Sequence, residues 1–298
     1  MDRYTDQTKL VLEERFDETV EGIYYSHQPI YGYRSKYSAE SNISRHIITK
    51  SILNALSQYS FSSFIDIGGA EGYTAHLVRK LFNAKVKITD LSESACRRAK
   101  EIFQIDAVPC DIHAMPFPDE SFDLVLCSET IEHVTDFKLA IKQLLRITKN
   151  VLVITVPHES VEEVEYNIKN NVPHGHINYF DVDTLDYLKQ EGYVVKFEKT
   201  LSPLLVVPRV IAEGSKKNGK GMPYRLYNSV TPLLKKLFGI KTAIRLIDVD
   251  ARMCSIFKKY SGITFIIEKK DLPHGVKRKR PISAKDFIYE TVPPYKLG

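Results

Sequence analysis

From Phe64 onward the chain alternates short β-type runs with helical ones, and few architectures accept that order. FIDI is followed by YTAHLVRKLF, VKITD by ESACRRAKEIF, then AVPCD, then FDLVLCSE by FKLAIKQLLRI, then VLVITVP, TLDYLKQ and YVVKFEKT. A strand that returns to a parallel neighbour through a helix makes a right-handed crossover, so the pattern predicts a parallel sheet with helices on both faces. Phe122–Cys127 and Val151–Val156 are nearly all apolar, as strands covered on both faces must be, and are predicted to be central. Upstream, Ile43, Ile47, Ile48, Ile52, Leu53 and Leu56 recur at helical spacing and predict a helix packed on the sheet before its first strand. Downstream, GITFIIEKK at Gly262–Lys270 reads as a last, antiparallel strand, reached only after the 61 residues Leu201–Ser261.

The turn after the first strand, Asp66-Ile67-Gly68-Gly69-Ala70-Glu71-Gly72, is the first functional signal. Small or absent side chains at Gly68, Ala70 and Gly72 let the backbone turn tightly and let a ligand approach the main chain. The spacing is GxAxG, whereas a dinucleotide fingerprint needs GxGxxG, so a nicotinamide-dependent oxidoreductase is the weaker reading. Acids follow in order. Asp90 ends the second strand, where its carboxylate is predicted to accept the two hydroxyls of a ribose. Asp111 ends the third predicted strand, positioned for an adenine amino group with Ile112 beside it. Asp66 closes the first strand, where an anion would orient a ligand ammonium. Ligands of open α/β sheets bind at this edge.

This ordered set resembles the class I S-adenosylmethionine-dependent methyltransferases, over roughly Ile43 to Thr200 and the final strand. DIGGAEG is similar to the family's DxGxGxG motif, with Ala70 at the second glycine; Asp90 is similar to its ribose-binding acid. CDIHAMPFPDESFDLVLCSETIEHV looks like its adenine-binding and fourth-strand region. The subgroup it is most similar to includes small-molecule and ubiquinone-biosynthesis enzymes. The resemblance implies an α/β, Rossmann-like seven-stranded sheet, mostly parallel with an antiparallel last strand and helices on both faces. It also implies S-adenosyl-L-methionine as cofactor. Three regions are expected: an aromatic-rich N-terminal cap over 1–42, a methyltransferase domain over 43–270 carrying a 201–261 insertion, and a basic tail over 271–298. Tyr24, Tyr25, Tyr31 and Tyr33 of the cap are expected in a surface loop or a lid.

The sulfonium methyl of such a cofactor is already activated, so the enzyme mainly has to align an acceptor behind it. A base is needed where the acceptor must lose a proton. His133, in SETIEH after the fourth strand, is the first candidate and His176, in PHGHINYF, the second; His174 is weaker. Glu129, Glu132 and His133 form ExxEH, which is similar to a metal site in some methyltransferases and suits Mg²⁺ or a transition ion. The same pattern occurs in metal-free relatives, where the glutamate supports the loop, and that is the favoured reading.

Charge is uneven. Residues 201–298 hold 20 Lys/Arg against 7 Asp/Glu, net +13, against net −8 for residues 1–200. The basic amphipathic stretch LLKKLFGIKTAIRLI, with Lys235, Lys236, Lys241 and Arg245, is either a helix packed on the core or a contact with an anionic membrane surface. With VKRKRP at Val276–Pro281 it points to a small-molecule, glycan or lipid-linked acceptor. Nucleic acid is disfavoured, because SETIEH stands where a (D/N)PP(Y/F)-type base-flipping motif would follow the fourth strand. A catalytically inactive cofactor-binding partner protein is the other alternative. No apolar run is long enough to span a bilayer, and Met1 precedes an acidic, polar stretch, so a cytoplasmic protein is expected. The cysteines Cys96, Cys110, Cys127 and Cys254 are expected as reduced thiols.

Overall fold

A computed structural model describes residues 3–17, 19–20, 23–24, 39–202, 241, 243–273, 275–277 and 281–290. Helix α1 (Arg3–Asp17) leads to a two-stranded ribbon, β1 (Thr19–Val20) and β2 (Ile23–Tyr24), and then to α2 (Ala39–Leu56). The alternating core follows: β3 (Ser63–Ile67), α3 (Tyr73–Phe82), β4 (Lys85–Asp90), α4 (Glu93–Phe103), β5 (Asp106–Pro109), β6 (Phe122–Ser128), α5 (Phe137–Ile147) and β7 (Thr148–Pro157). Helix α6 (Val161–Lys169) and strands β8 (Tyr193–Thr200) and β9 (Gly262–Lys269) complete it.

The sheet has seven strands in the order β5-β4-β3-β6-β7-β9-β8. Strand β9 runs antiparallel to both β7 and β8, and the other pairings are parallel. This is the architecture expected from the alternation. Side chains point alternately to the two faces, so Phe64, Leu124, Leu126, Val151 and Val153 enter one core with α2 and α3. Ile65, Val125, Cys127, Leu152 and Ile154 enter the other with α5. Helix starts are marked by caps: Ser92 Oγ accepts the Ala95 amide at 3.1 Å for α4, and an Asp136 oxygen accepts the Leu139 amide at 2.9 Å for α5.

Several local expectations are corrected. AVPCD is a strand only as far as Pro109, so Asp111 stands two residues beyond it; there it caps a 3₁₀ turn at Ile112–Ala114. TLDYLKQ makes a four-residue 3₁₀ turn, Asp186–Lys189, in place of a helix, and Gly192 at φ 93° turns the chain into β8 soon after. The apolar run at Val151–Val156 is the middle of a longer strand. Helix α1 carries no apolar stripe that would announce it: its buried face is Thr5, Thr8 and Phe16.

Helix α1 lies across α4. The Glu13 carboxylate accepts the Glu93 and Ser94 amides at 2.7 and 3.0 Å, capping α4 from a distant part of the chain. Arg98 Nη1 donates to the Phe16 carbonyl at 2.7 Å. At its other end, Tyr4 donates to the Gly175 carbonyl at 2.7 Å.

Tyr24 pairs with Thr19 in the small ribbon, whereas Tyr25, Tyr31 and Tyr33 lie outside the described residues. So do residues 203–240 of the insertion, with Lys235 and Lys236. The described end of the insertion is a helix over 243–257 that buries Ala243, Ile247 and Cys254. Part of the basic tail, 281–290, is a strap that buries Ile282, Phe287 and Ile288 against the α2–α3 face. The four cysteines are free thiols. Among the described residues no helix is long and apolar enough to cross a membrane.

Candidate functional site

The turn from β3 into α3 begins the site. Gly68 adopts φ 73°, and a Cβ there would lie 2.1 Å from Thr130 Oγ1, so no side chain fits. Its amide and that of Gly69 both donate to the Thr89 carbonyl, at 2.8 and 2.9 Å. Ala70 holds φ 48°, a conformation that favours glycine, with its amide donating to Asp90 Oδ2 at 3.0 Å. Gly72 is elsewhere: it is the N-cap of α3 at φ 82°, and a Cβ on it would sit 3.2 Å from that of Ala99. Its smallness serves helix packing, which departs from the cofactor contact expected of it.

Asp90 also accepts the Ser92 amide, through Oδ1 at 2.9 Å. Each oxygen thus holds one backbone amide and keeps further acceptor capacity. Burial raises the Asp90 pKa to about 6, against the lowering effect of those two amides. Asp66, 2% exposed, is raised to about 8, first by burial and then by the charge of Asp90. Asp111 Oδ1 faces the His113 amide at 2.9 Å and its ring Nδ1 at 2.7 Å, and Ile112 is buried beside it.

At the other end, β6 delivers Ser128 and then Glu129 at φ 51°. Thr155 donates to Glu129 Oε1 at 3.0 Å. Glu132 is buried, with Oε2 lacking a hydrogen-bond partner, and its carbonyl accepts the Ile177 and Asn178 amides at 2.8 and 3.1 Å. That pair of bonds ties the loop carrying His174 and His176 to the segment carrying His133.

His133 Nδ1 lies 3.1 Å from the Gly175 carbonyl. A carbonyl can only accept, so the bond requires Nδ1–H and leaves Nε2 with the lone pair. The His133 ring stacks on His174, centroids 3.8 Å apart, and meets His176 edge-on at 4.6 Å. Burial lowers the His133 pKa well below the usual imidazole value, helped by its histidine neighbours, and lowers that of His174 to about 4. His176 Nδ1 sits 2.6 Å from Glu159 Oε2. Burial also raises the pKa of Glu129 and Glu132.

Among the described residues, the side chains whose ligating atoms gather within 4.8 Å are Glu132, His133 and His176. Glu129, the first member of ExxEH, turns to Thr155 and does not join them.

One cavity of about 410 Å³ connects both ends. Asp66, Gly68, Ala70, Asp90, Asp111, Ile112, His133 and His176 all line it; of the expected residues only Gly72 does not. Its remaining wall comes from helices that the motifs do not touch, with Thr8 and Arg15 from α1 and Arg45 and Thr49 from α2. Left-handed conformations at Ala70, Glu129 and His174 cluster along it, the usual place for stored backbone strain.

Comparison with known proteins places these features. Residues 65–153 match the model of a methyltransferase domain. The chain is 34% identical over 89 residues to a malonyl-[acyl-carrier protein] O-methyltransferase of Halorhodospira halophila, covering 28% of this chain and 30% of that one. It is 26% identical over 161 residues to the ubiquinone/menaquinone biosynthesis C-methyltransferase UbiE of Shewanella piezotolerans, covering 48% and 63%. In each case the chain spans less than two thirds of the relative's length. The fold is similar to that of geranyl diphosphate C-methyltransferase from Streptomyces coelicolor, solved with Mg²⁺, geranyl diphosphate and S-adenosyl-L-homocysteine. There the TM-score is 0.54 at 14% identity, over 90% of this chain and 98% of that one.

Proposed function

We propose that this chain is an S-adenosylmethionine-dependent methyltransferase acting on a hydroxyl or amine of a small-molecule, glycan or lipid-linked acceptor. One observation carries the reading: a single cavity joins the acids of the β4 and β5 ends to the histidines after β6. The donor set suits the cofactor. Asp90 retains acceptor capacity for ribose hydroxyls, Asp111 and Ile112 form the wall expected for adenine, and the Gly68–Ala70 backbone lies open beside Asp66. When bound, the cofactor supplies an activated methyl on a sulfonium.

The chain's own task is to orient the acceptor, exclude water and remove its proton. His133 is suited to the last step, being neutral with its Nε2 lone pair fixed by the Nδ1–H bond to Gly175. His176, braced by Glu159, is the second base. The named relatives are an O-methyltransferase of malonyl-[acyl-carrier protein] and a C-methyltransferase of ubiquinone/menaquinone biosynthesis, and those acceptors are theirs. Incubating the full-length protein with methyl-labelled S-adenosylmethionine and fractionated metabolite extracts tests the reading. Label transferred to an organic acceptor supports it; no transfer together with no binding of the sulfur nucleosides sinks it.

A further inference from the structure

At the histidine end of the cavity, three side chains bring atoms able to accept hydrogen bonds into one small space. Glu132, His133 and His176 each offer one such atom, all within 4.8 Å of one another. The rings are oriented from behind. His133 Nδ1 donates to the Gly175 carbonyl at 3.1 Å, and His176 Nδ1 lies 2.6 Å from Glu159 Oε2, which accepts when ionised. In its neutral form each ring therefore carries its lone pair on Nε2. Glu132 is 1% exposed and lines the cavity, and its Oε2 has no hydrogen-bond partner. The ionisable group within 4 Å of it among the described residues is His133, with Nε2 3.8 Å from Oε1. The turn carrying both is held by Asn178, whose Nδ2 donates to the Ile131 and Val134 carbonyls at 3.0 and 2.7 Å. A buried carboxyl oxygen left without a partner is costly, so its complement is a donor that arrives with the ligand.

We propose that Glu132, His133 and His176 form a seat for a primary ammonium, so that the group methylated is a primary amine. The inference rests on the methyl-transfer reading of this cavity and names the chemical class of its substrate. Three atoms within 4.8 Å of one another always leave a position within about 2.8 Å of all three, the length of a hydrogen bond. A primary ammonium placed there brings three N–H donors and a positive charge to two lone pairs and a carboxyl. A hydroxyl brings one donor and leaves the other two atoms unanswered. The transfer balances. The ammonium gives one proton to His133 Nε2, and the nitrogen lone pair so freed takes the methyl. The bond from methyl to sulfur breaks with its electrons left on sulfur. The product is a secondary ammonium, and His133 returns its proton to solvent. A divalent cation would use the same three atoms, and the experiment separates the two.

Calorimetric titration of the full-length protein with n-butylammonium, tetramethylammonium and magnesium chlorides and with 1-butanol tests the seat. It is run at neutral pH and constant ionic strength, with and without saturating S-adenosylhomocysteine. One-site binding of butylammonium in about the millimolar range is expected. Tetramethylammonium, which has the charge and no donor, and 1-butanol, which has a donor and no charge, should bind at least about tenfold more weakly. Glu132→Gln should weaken butylammonium at least about tenfold and leave S-adenosylhomocysteine affinity unchanged, which also shows that the variant is folded. Glu101→Gln, exposed on α4, should match the wild type. In turnover with methyl-labelled S-adenosylmethionine and metabolite extracts, the label should sit on nitrogen. Label on oxygen or carbon overturns the seat, as does 1-butanol that binds equally well or butylammonium binding that Glu132→Gln does not alter. Mg²⁺ bound in place of butylammonium, and lost in Glu132→Gln, would assign the three atoms to an ion. Wild-type protein that binds S-adenosylhomocysteine but no butylammonium removes the seat alone. Protein that binds butylammonium but no sulfur nucleoside removes the methyl-transfer reading and leaves the seat standing.

Discussion

Asp90 Oδ2 accepts the amide of Ala70 at 3.0 Å, so the acid at the end of β4 holds the glycine loop at the end of β3. Loop shape and, in the proposed function, ribose recognition therefore depend on one carboxylate. Asp90→Ala should lower S-adenosylhomocysteine affinity on the order of a hundredfold by calorimetry, with two charge-assisted hydrogen bonds removed. A change below about threefold would place the ribose elsewhere.

Asp66 and Asp90 also set a pH dependence. Both have folded-state pKa values above their ordinary 3.8, about 8 and about 6, because burial disfavours the charged form. Raised carboxylates favour the folded state when protonated, so their contribution is full below pH 4 and is lost as pH climbs through 6 to 8. Asp66→Asn should raise the melting temperature of the ligand-free protein at pH 8 and have little effect at pH 4. The gain should be roughly 2–4 °C for each kcal/mol recovered. An equal shift at both pH values would contradict the assignment.

His133→Ala should reduce kcat by roughly 10²-fold or more while S-adenosylhomocysteine affinity stays nearly constant, since the imidazole acts only in the transition state. Its depressed pKa predicts that wild-type kcat holds its plateau well below pH 6.5 before falling, and that this acidic limb disappears in the variant. Chelator treatment should leave activity unchanged. If chelation abolished it, with Glu132→Gln as damaging as His133→Ala, the cluster of Glu132, His133 and His176 would be holding an ion.

Gly68→Ala should destabilise the fold by about 1–3 kcal/mol and abolish cofactor binding, through the φ of 73° and the collision with Thr130. Thr130→Ala in the same chain should recover part of the stability, because it removes the hydroxyl at 2.1 Å while the Thr130 Cβ at 3.0 Å remains. Additive losses in urea denaturation would show that the contact is not the cause.

Legibility in the sequence followed locality. Helices α3, α4 and α5 and strands β6 and β7 announce themselves because their apolar spacing is written in neighbouring residues. The place of Asp66, Asp90 and His133 on the cavity is legible because each follows or ends a strand, and strand ends converge on one edge. Helix α1 is not, since what holds it is Glu13 on the amides of α4, 80 residues away. Gly72 packs on Ala99 away from the cavity lining, and a glycine needed for such contact looks the same in sequence as one needed beside a ligand.

Helix α1 supplies a cavity wall and is fastened through side-chain bonds, among them Lys9, Glu13, Phe16 and Asp17 at α4 and Tyr4 at Gly175. Nothing in the sheet's hydrogen-bond ladder depends on it. Because these bonds lie outside the ladder, α1 is expected to open at a lower free energy than the sheet. Occupancy of the cavity then becomes readable at the amides of residues 3–17, whose hydrogen exchange should slow on ligand binding while that of β6 and β7 stays at its global limit.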